Sequence, residues 1–214
     1  TALPLYSSRL SRKALREIHG KSLLEILLRN VLRQKEFDVV LAIPESSDDD
    51  ELEEIAKSVG VQVFRGFDDS PLHRIHAAAH KFGFRHVVRI TQDDILIDAQ
   101  LLENQVKHHL NARSPSGPND YTFMAKCPDG VAGEVISRRA LDEAVRTVGK
   151  KAVEHVSYFV RNPEKFKCGE YYPPREHQFT YRLTIDYEQD LLLVKIIYSM
   201  LAQPFSTLDI TNLL

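Results

Sequence analysis

The sequence predicts an α/β protein, a three-layer α/β/α sandwich around a mostly parallel, Rossmann-like sheet. Short β-type runs at residues 39–43, 61–64 and 87–90 alternate with stretches of helical periodicity at 21–34, 50–60, 71–82 and 187–201. Strands separated by helices of that length need the crossover connections of a parallel sheet. The β-type runs are also continuous in apolar residues, as strands covered on both faces are. Two of the apolar runs end on acids: residues 87–90 lead into Asp93 and Asp94, and residues 183–185 lead into Asp186. Open α/β sheets bind ligands outside the carboxyl ends of their strands.

Each element has its own signal. Residues 1–8 read like a loop leaving a strand, which predicts a segment ahead of Thr1. A broad apolar face over 21–34 carries Leu23, Leu24, Ile26, Leu27, Val31 and Leu32. Pro44 closes the strand at 39–43, and 47–50 opens a helix that Gly60 ends. Residues 71–82 form a helix stopped by Gly83. Asp98 stands at the N-cap of the helix after the central strand. Residues 114–119 are the clearest loop. Strands are expected at 121–125 and 133–136, helices at 138–148 and 152–161, and an extended excursion at 163–180, which carries Pro163, Pro173 and Pro174. The chain then re-enters the sheet at 181–185 and closes with the helix 187–201.

Composition narrows the function. A chain of 214 residues suits a single domain, 1–214. A net charge of −2 lacks the basic footprint of a nucleic-acid binder. Cys127 and Cys168 are too few for a disulfide scaffold or a zinc site, which makes a reducing cytoplasm the default location. No apolar run reaches membrane-spanning length, so no membrane partner is expected.

Chemistry concentrates at two places. Paired acids at a strand end suit Mg²⁺, which takes one or two protein carboxylates together with substrate phosphates. The plainer reading of Asp93-Asp94 is a solvated turn, and Asp186 in a similar setting weighs against it. The second place is Ser7-Ser8-Arg9-Leu10-Ser11-Arg12-Lys13, with three hydroxyls and three cations in seven residues. Arginine clamps phosphate bidentately and lysine adds a point charge. No Gly-x-x-x-x-Gly-Lys pattern is present, which argues against a P-loop fold.

Several segments fall in an order that resembles a known family. They are Ser-Ser-Arg-Leu-x-x-Lys13, Gly20-Lys-Ser-Leu-Leu-Glu25, Val63-Phe-Arg-Gly66, Val88-Arg-Ile-Thr-x-Asp93, Leu96-Ile-Asp98, Glu154-His-Val156 and Leu183-Thr-x-Asp-Tyr187. The chain resembles the cytidylyltransferases of the spore-coat polysaccharide type, relatives of the CMP-sialic acid and CMP-Kdo synthetases. The resemblance implies a sandwich of the nucleotidyltransferase (GT-A-like) type in which a sugar hydroxyl attacks the α-phosphate of CTP. It implies that Ser7, Ser8, Arg9, Arg12, Lys13 and Arg65 bind nucleotide, with Arg9, Lys13 and Asp93 catalytic. Asp93 and Asp186 would hold Mg²⁺, and Glu134, Glu154 and His155 would lie near the sugar. A homodimer is implied too, through a sugar-binding and dimerisation excursion at about 130–175. For Arg65 and Arg74, salt-bridged surface arginines explain the sequence equally well.

The nucleotide loop departs from the family pattern. Pro4 stands where an arginine is usual and Tyr6 where a glycine is, while Ser11-Arg12 replaces Pro-Gly. A side chain at Tyr6 crowds the backbone approach to phosphate that a glycine permits. Gln92 replaces a glycine beside Asp93, and Ala132 an acid. Three functions therefore stay open at this level. One is a CTP-dependent transferase that makes a CMP-sugar for a surface polysaccharide. Another is a nucleotide-sugar glycosyltransferase with its metal on Asp93 and Asp94. The third is a non-catalytic descendant that binds a nucleotide or a partner protein.

Overall fold

The structure, a computed structural model, describes residues 10, 12–111, 117–153 and 155–214. A 3₁₀ turn at Lys13–Leu15 leads into a small hairpin, β1 (Glu17–Ile18) and β2 (Lys21–Ser22), which the sequence does not announce. Ser22 caps α1 (Leu23–Val31), its hydroxyl accepting from Glu25 N at 3.1 Å. β3 (Val40–Ile43), α2 (Asp50–Ser58) and β4 (Gln62–Arg65) make a right-sized crossover, and the strands pair in parallel from Val40↔Gln62 to Ile43↔Arg65. α3 (Pro71–Lys81) starts on its proline, which needs no amide partner there.

β5 (His86–Arg89) follows, then α4 (Ala99–Leu110). Asp98 caps α4 as expected, taking the amides of Gln100 and Leu101 at 3.0 Å each. Its other oxygen accepts from Thr207 N at 2.8 Å, so one carboxylate ties two distant segments. β6 (Tyr121–Met124), β7 (Glu134–Ser137), α5 (Arg138–Val148), α6 (Val156–Val160), β8 (Cys168–Tyr171), α7 (Glu188–Met200) and α8 (Thr207–Leu213) complete the chain.

The larger sheet has the order β5-β7-β6-β8. β7 runs antiparallel to both β5 and β6, and β6 is parallel to β8. Hence β5, β6 and β8 share one direction and β7 alone opposes it. One core packs α1, α7 and α8 around Ile90, Ile95, Leu183 and Ile185. A second packs α3, α5 and α6 around Tyr121 and Ile136. Helices thus cover both faces, which gives the three layers.

Four expectations need correction. The helix expected at 152–161 shrinks to Val156–Val160. Gly149 at φ +60 breaks the chain after α5, and Ser70 Oγ takes Val153 N at 3.1 Å, outside any helix. The excursion at 163–180 contains β8. Gly169 weakens its strand pattern, but a Cβ there would lie 2.2 Å from the Asn119 amide, so glycine lets the strand pack. Residues 181–185 form no ladder, only a bridge between Asp129 and Arg182. Finally β5, expected to be buried, is half-buried throughout. A cavity of about 270 Å³ runs beside it, lined by Val40, Ala42, Val87, Val88, Ile90 and Leu102. α8 was not expected either, although Ser206-x-x-Asp209 spells its capping box.

Gly130 sits at φ +98, and a Cβ built there would lie 2.8 Å from the Leu183 carbonyl carbon and from Thr184 N. Both contacts are with backbone, which cannot swing away. Gly130→Ala is therefore expected to lose about 2–4 kcal/mol in urea unfolding. A loss below about 0.5 kcal/mol would mean that this close approach does not constrain the chain.

Candidate active site

Three segments far apart in sequence converge near the end of β5. The first is the turn after β5. Asp94 braces it from inside, its Oδ2 accepting from Thr91 N at 3.1 Å and from Thr91 Oγ1 at 2.7 Å. Burial, reinforced by the neighbouring Asp93 charge, pushes the Asp94 carboxyl well above the usual carboxylate range. Asp94 is thus committed to the turn. Asp93 stays partly open, its side chain 26% exposed.

The second segment is 181–187. Its backbone is held by Leu183 N donating to Asp129 O at 2.8 Å and Ile185 N donating to Asp93 O at 3.1 Å. These bonds explain why the run looks like a strand without joining a ladder. They also bring Asp186 beside Asp93. Arg182 donates to Asp186 Oδ2 at 2.9 Å and to Asp190 Oδ1 at 2.7 Å. Asp190 in turn accepts from the amides of Asp186 and Tyr187, each at 2.8 Å. Its carboxyl is held below the usual range by these partners against the opposing effect of burial. Sequence reasoning missed Asp190 and Arg182. The signal available was an acid at the third position of α7, where it closes a capping box.

The third segment supplies Lys13, only 3% exposed. Its ammonium lies 3.0 Å from Asp186 Oδ1 and 4.0 Å from Asp93 Oδ1. Among the described residues singled out from sequence, the structure brings Lys13, Asp93 and Asp186 together. Two carboxylates meeting one cation are a hard-oxygen donor set, and that chemistry fits Mg²⁺.

The other candidates have different surroundings. Arg12 pairs with Glu51, and Arg65 pairs with Asp50 at 2.6 Å and Glu53 at 2.5 Å, so both arginines reach acids in the first turn of α2. Arg65 is the salt-bridged arginine that one sequence reading describes. Arg74 is instead fully buried and donates to Phe67 O at 2.5 Å, which corrects the surface salt-bridge reading for it. Beside it, burial raises Asp49 to about 6 against the opposing Arg74 charge. Glu134 accepts from Arg89 at 2.8 Å and from the Tyr121 hydroxyl at 2.5 Å. Burial first, then the Glu134 charge, pushes the Tyr121 phenol far up, so it stays a donor. His155 is exposed at the N-cap of α6. Ser7, Ser8, Arg9 and Glu154 lie outside the described residues, as do Pro4, Tyr6 and Ser11.

Arg12 adopts φ 49 and ψ 39, the left-handed region that a side chain disfavours. It immediately precedes Lys13, so this strain lies where the loop aims its ammonium. Arg12→Gly is expected to keep the fold and to stabilise it by about 0.5–1 kcal/mol, net of a surface ion pair worth little. Thermal unfolding checks this. A clear drop in Tm would show that the Glu51 pair outweighs the backbone cost.

Comparison with known proteins gives a consistent picture. Residues 5–203 match the family model described as Cytidylyltransferase. The spore coat polysaccharide biosynthesis protein SpsF of Bacillus subtilis (strain 168) is 30% identical over 201 residues, spanning 90% of this chain and 82% of that protein. A solved cytidylyltransferase from Leptospira borgpetersenii serovar Hardjo-bovis (strain JB197) superposes with a TM-score of 0.86 at 29% identity, covering 98% of this chain and 89% of the other. CMP:2-keto-3-deoxy-manno-octonic acid synthetase, solved with CTP, shares the fold at a TM-score of 0.63 and 12% identity, covering 92% of this chain and 96% of its own.

Proposed function

Because the chain belongs to the cytidylyltransferase family, and is thus a nucleotidyltransferase, we propose that it moves a CMP group from CTP to a sugar or sugar acid. Its product would feed surface polysaccharide biosynthesis. A sugar hydroxyl oxygen bonds to the α-phosphorus, the bond from that phosphorus to the bridging oxygen breaks, and pyrophosphate leaves with the electron pair. The hydroxyl proton passes to water. The observation that carries this reading is the meeting of Asp93 and Asp186 at the Lys13 ammonium.

Asp93 and Asp186 would hold Mg²⁺, which when bound neutralises phosphate charge and polarises the reacting phosphorus. Lys13, with Arg9 nearby in sequence, meets the charge that grows on the departing pyrophosphate. Ser7, Ser8, Arg12 and Arg65 serve the nucleotide side, and Glu134, Glu154 and His155 the sugar side. Arg89 and Tyr121 hold Glu134 in one orientation, as a residue that must accept from a sugar hydroxyl needs. Both cysteines are free thiols, in keeping with work in the cytoplasm. Homodimerisation through 130–175 belongs to the same proposal. A glycosyltransferase metal on Asp93 and Asp94 is disfavoured, since Asp94 is turned into Thr91.

Calorimetry with CTP, UTP, GTP and ATP, each with and without Mg²⁺, tests the reading. CTP should bind most tightly and only with the metal present. Tighter binding of another nucleotide, no nucleotide binding, or binding indifferent to Mg²⁺ would overturn it.

A further inference from the structure

A second cluster of ligating side chains sits on the helical layer formed by α3 and α5. His76 and His80 are one helical turn apart on α3, so their rings share a face. Their centroids are 4.6 Å apart. Both rings converge on a single oxygen of α5: His76 Nε2 lies 2.9 Å and His80 Nε2 2.7 Å from Asp142 Oδ1. The three ligating atoms all lie within 4.8 Å of one another. Among the described residues no other trio of histidine, cysteine or acidic side chains meets that spacing.

We propose that His76, His80 and Asp142 form a binding site for a divalent transition cation of the Zn²⁺ class, separate from the carboxylate site. Two histidines at i and i+4 on one helix are a chelating pair, and a carboxylate completes a three-residue set with one position left for water. Zn²⁺ sits about 2.0–2.2 Å from such donors. The present contacts therefore need to open by only a few tenths of an ångström around the ion. The imidazole and carboxylate donors select Zn²⁺ over Mg²⁺, which prefers oxygen and keeps its waters.

Access is open, because the side chains of His80 and Asp142 are about half exposed, at 50% and 47%. α3 and α5 already pack through Leu72, Ile75, Ala140 and Leu141. A bound cation would pin the two helices at their rim. α3 also carries Arg74, whose guanidinium holds the Phe67 carbonyl. The site would therefore stiffen the loop after β4 without touching the carboxylate pair.

Calorimetric titration with ZnCl₂ alone, in excess Mg²⁺ and without nucleotide, tests the site. The wild-type chain should bind one equivalent with a dissociation constant near or below about 10 μM. His80→Gln and Asp142→Asn, both at exposed positions, should each weaken that event by at least about tenfold. The metal should also raise the wild-type Tm and leave the Tm of the His76→Gln/His80→Gln double variant unchanged. Zn²⁺ binding that is absent from the wild type, or changed less than tenfold in the single variants, overturns the proposal. An equal Tm rise in the double variant would do the same.

Discussion

Asp93→Asn and Asp186→Asn should each lower turnover by at least about a thousandfold while leaving the fold intact. Both carboxylates face one cationic position, marked by the Lys13 ammonium at 4.0 and 3.0 Å. On the proposed reading the two hold one ion between them, so removing either spoils it and the double variant should be no slower than the slower single variant. Asparagine keeps an oxygen that can accept from Lys13 and Arg182, which limits the structural damage. Circular dichroism and Tm should confirm a folded protein before turnover is read as pyrophosphate release. Asp94→Asn is the internal control. Its side chain serves Thr91 inside the turn, so turnover should fall by less than about tenfold. Multiplying losses in the double variant, or Asp94→Asn as damaging as Asp93→Asn, would remove the shared ion on this pair.

The layered α/β plan was legible because it rests on periodicity, and periodicity is local. The helix face of Leu23, Leu24, Ile26, Leu27 and Val31 is written in residue spacing and is buried as written. The cap at Asp98 was legible for the same reason. What sequence could not give depends on partners far along the chain. Leu183 and Ile185 look like strand residues, yet their amides go to Asp129 and Asp93 rather than to a ladder. Residues 168–171 lie in a stretch that reads as an extended excursion because of Pro163, Pro173, Pro174 and its polar residues, and the strand shows itself only through its pairing with β6, from Tyr121↔Cys168 to Met124↔Tyr171.

The site divides along the same line. Asp93 and Asp186 stood out because acids at the ends of apolar runs are unusual, and each is readable one segment at a time. Asp190 and Arg182 did not stand out, since an Arg and an Asp near a helix start are ordinary on a surface. Their role is visible only as a chain of contacts: Asp190 takes two amides and Arg182, and Arg182 holds Asp186. The His76, His80 and Asp142 cluster was equally hidden. The two histidines show a helical spacing, but their common partner lies 62 residues beyond His80.

Lys13→Ala should move two measurements in opposite directions. The Lys13 ammonium occupies the cationic place between Asp186 and Asp93. A dication approaching those carboxylates meets its repulsion, on the order of 2–8 kcal/mol at about 4 Å between the dielectric constant of water and that of a partly buried site. Deleting the charge should therefore tighten Mg²⁺ binding to the nucleotide-free protein, by about tenfold or more. Turnover should fall nonetheless, by about a hundredfold to a thousandfold, because the charge that Lys13 meets is largest as pyrophosphate departs. KM for CTP should rise much less than kcat falls. Lys13→Arg should not rescue turnover, since the side chain is 3% exposed and a planar guanidinium is wider than the ammonium it would replace. A lysine that merely neutralised two half-buried acids would behave otherwise: its loss would lower stability and leave kcat within about threefold. Unchanged Mg²⁺ affinity with unchanged kcat would take Lys13 out of the reaction, and with it the reading of this cluster as the catalytic centre.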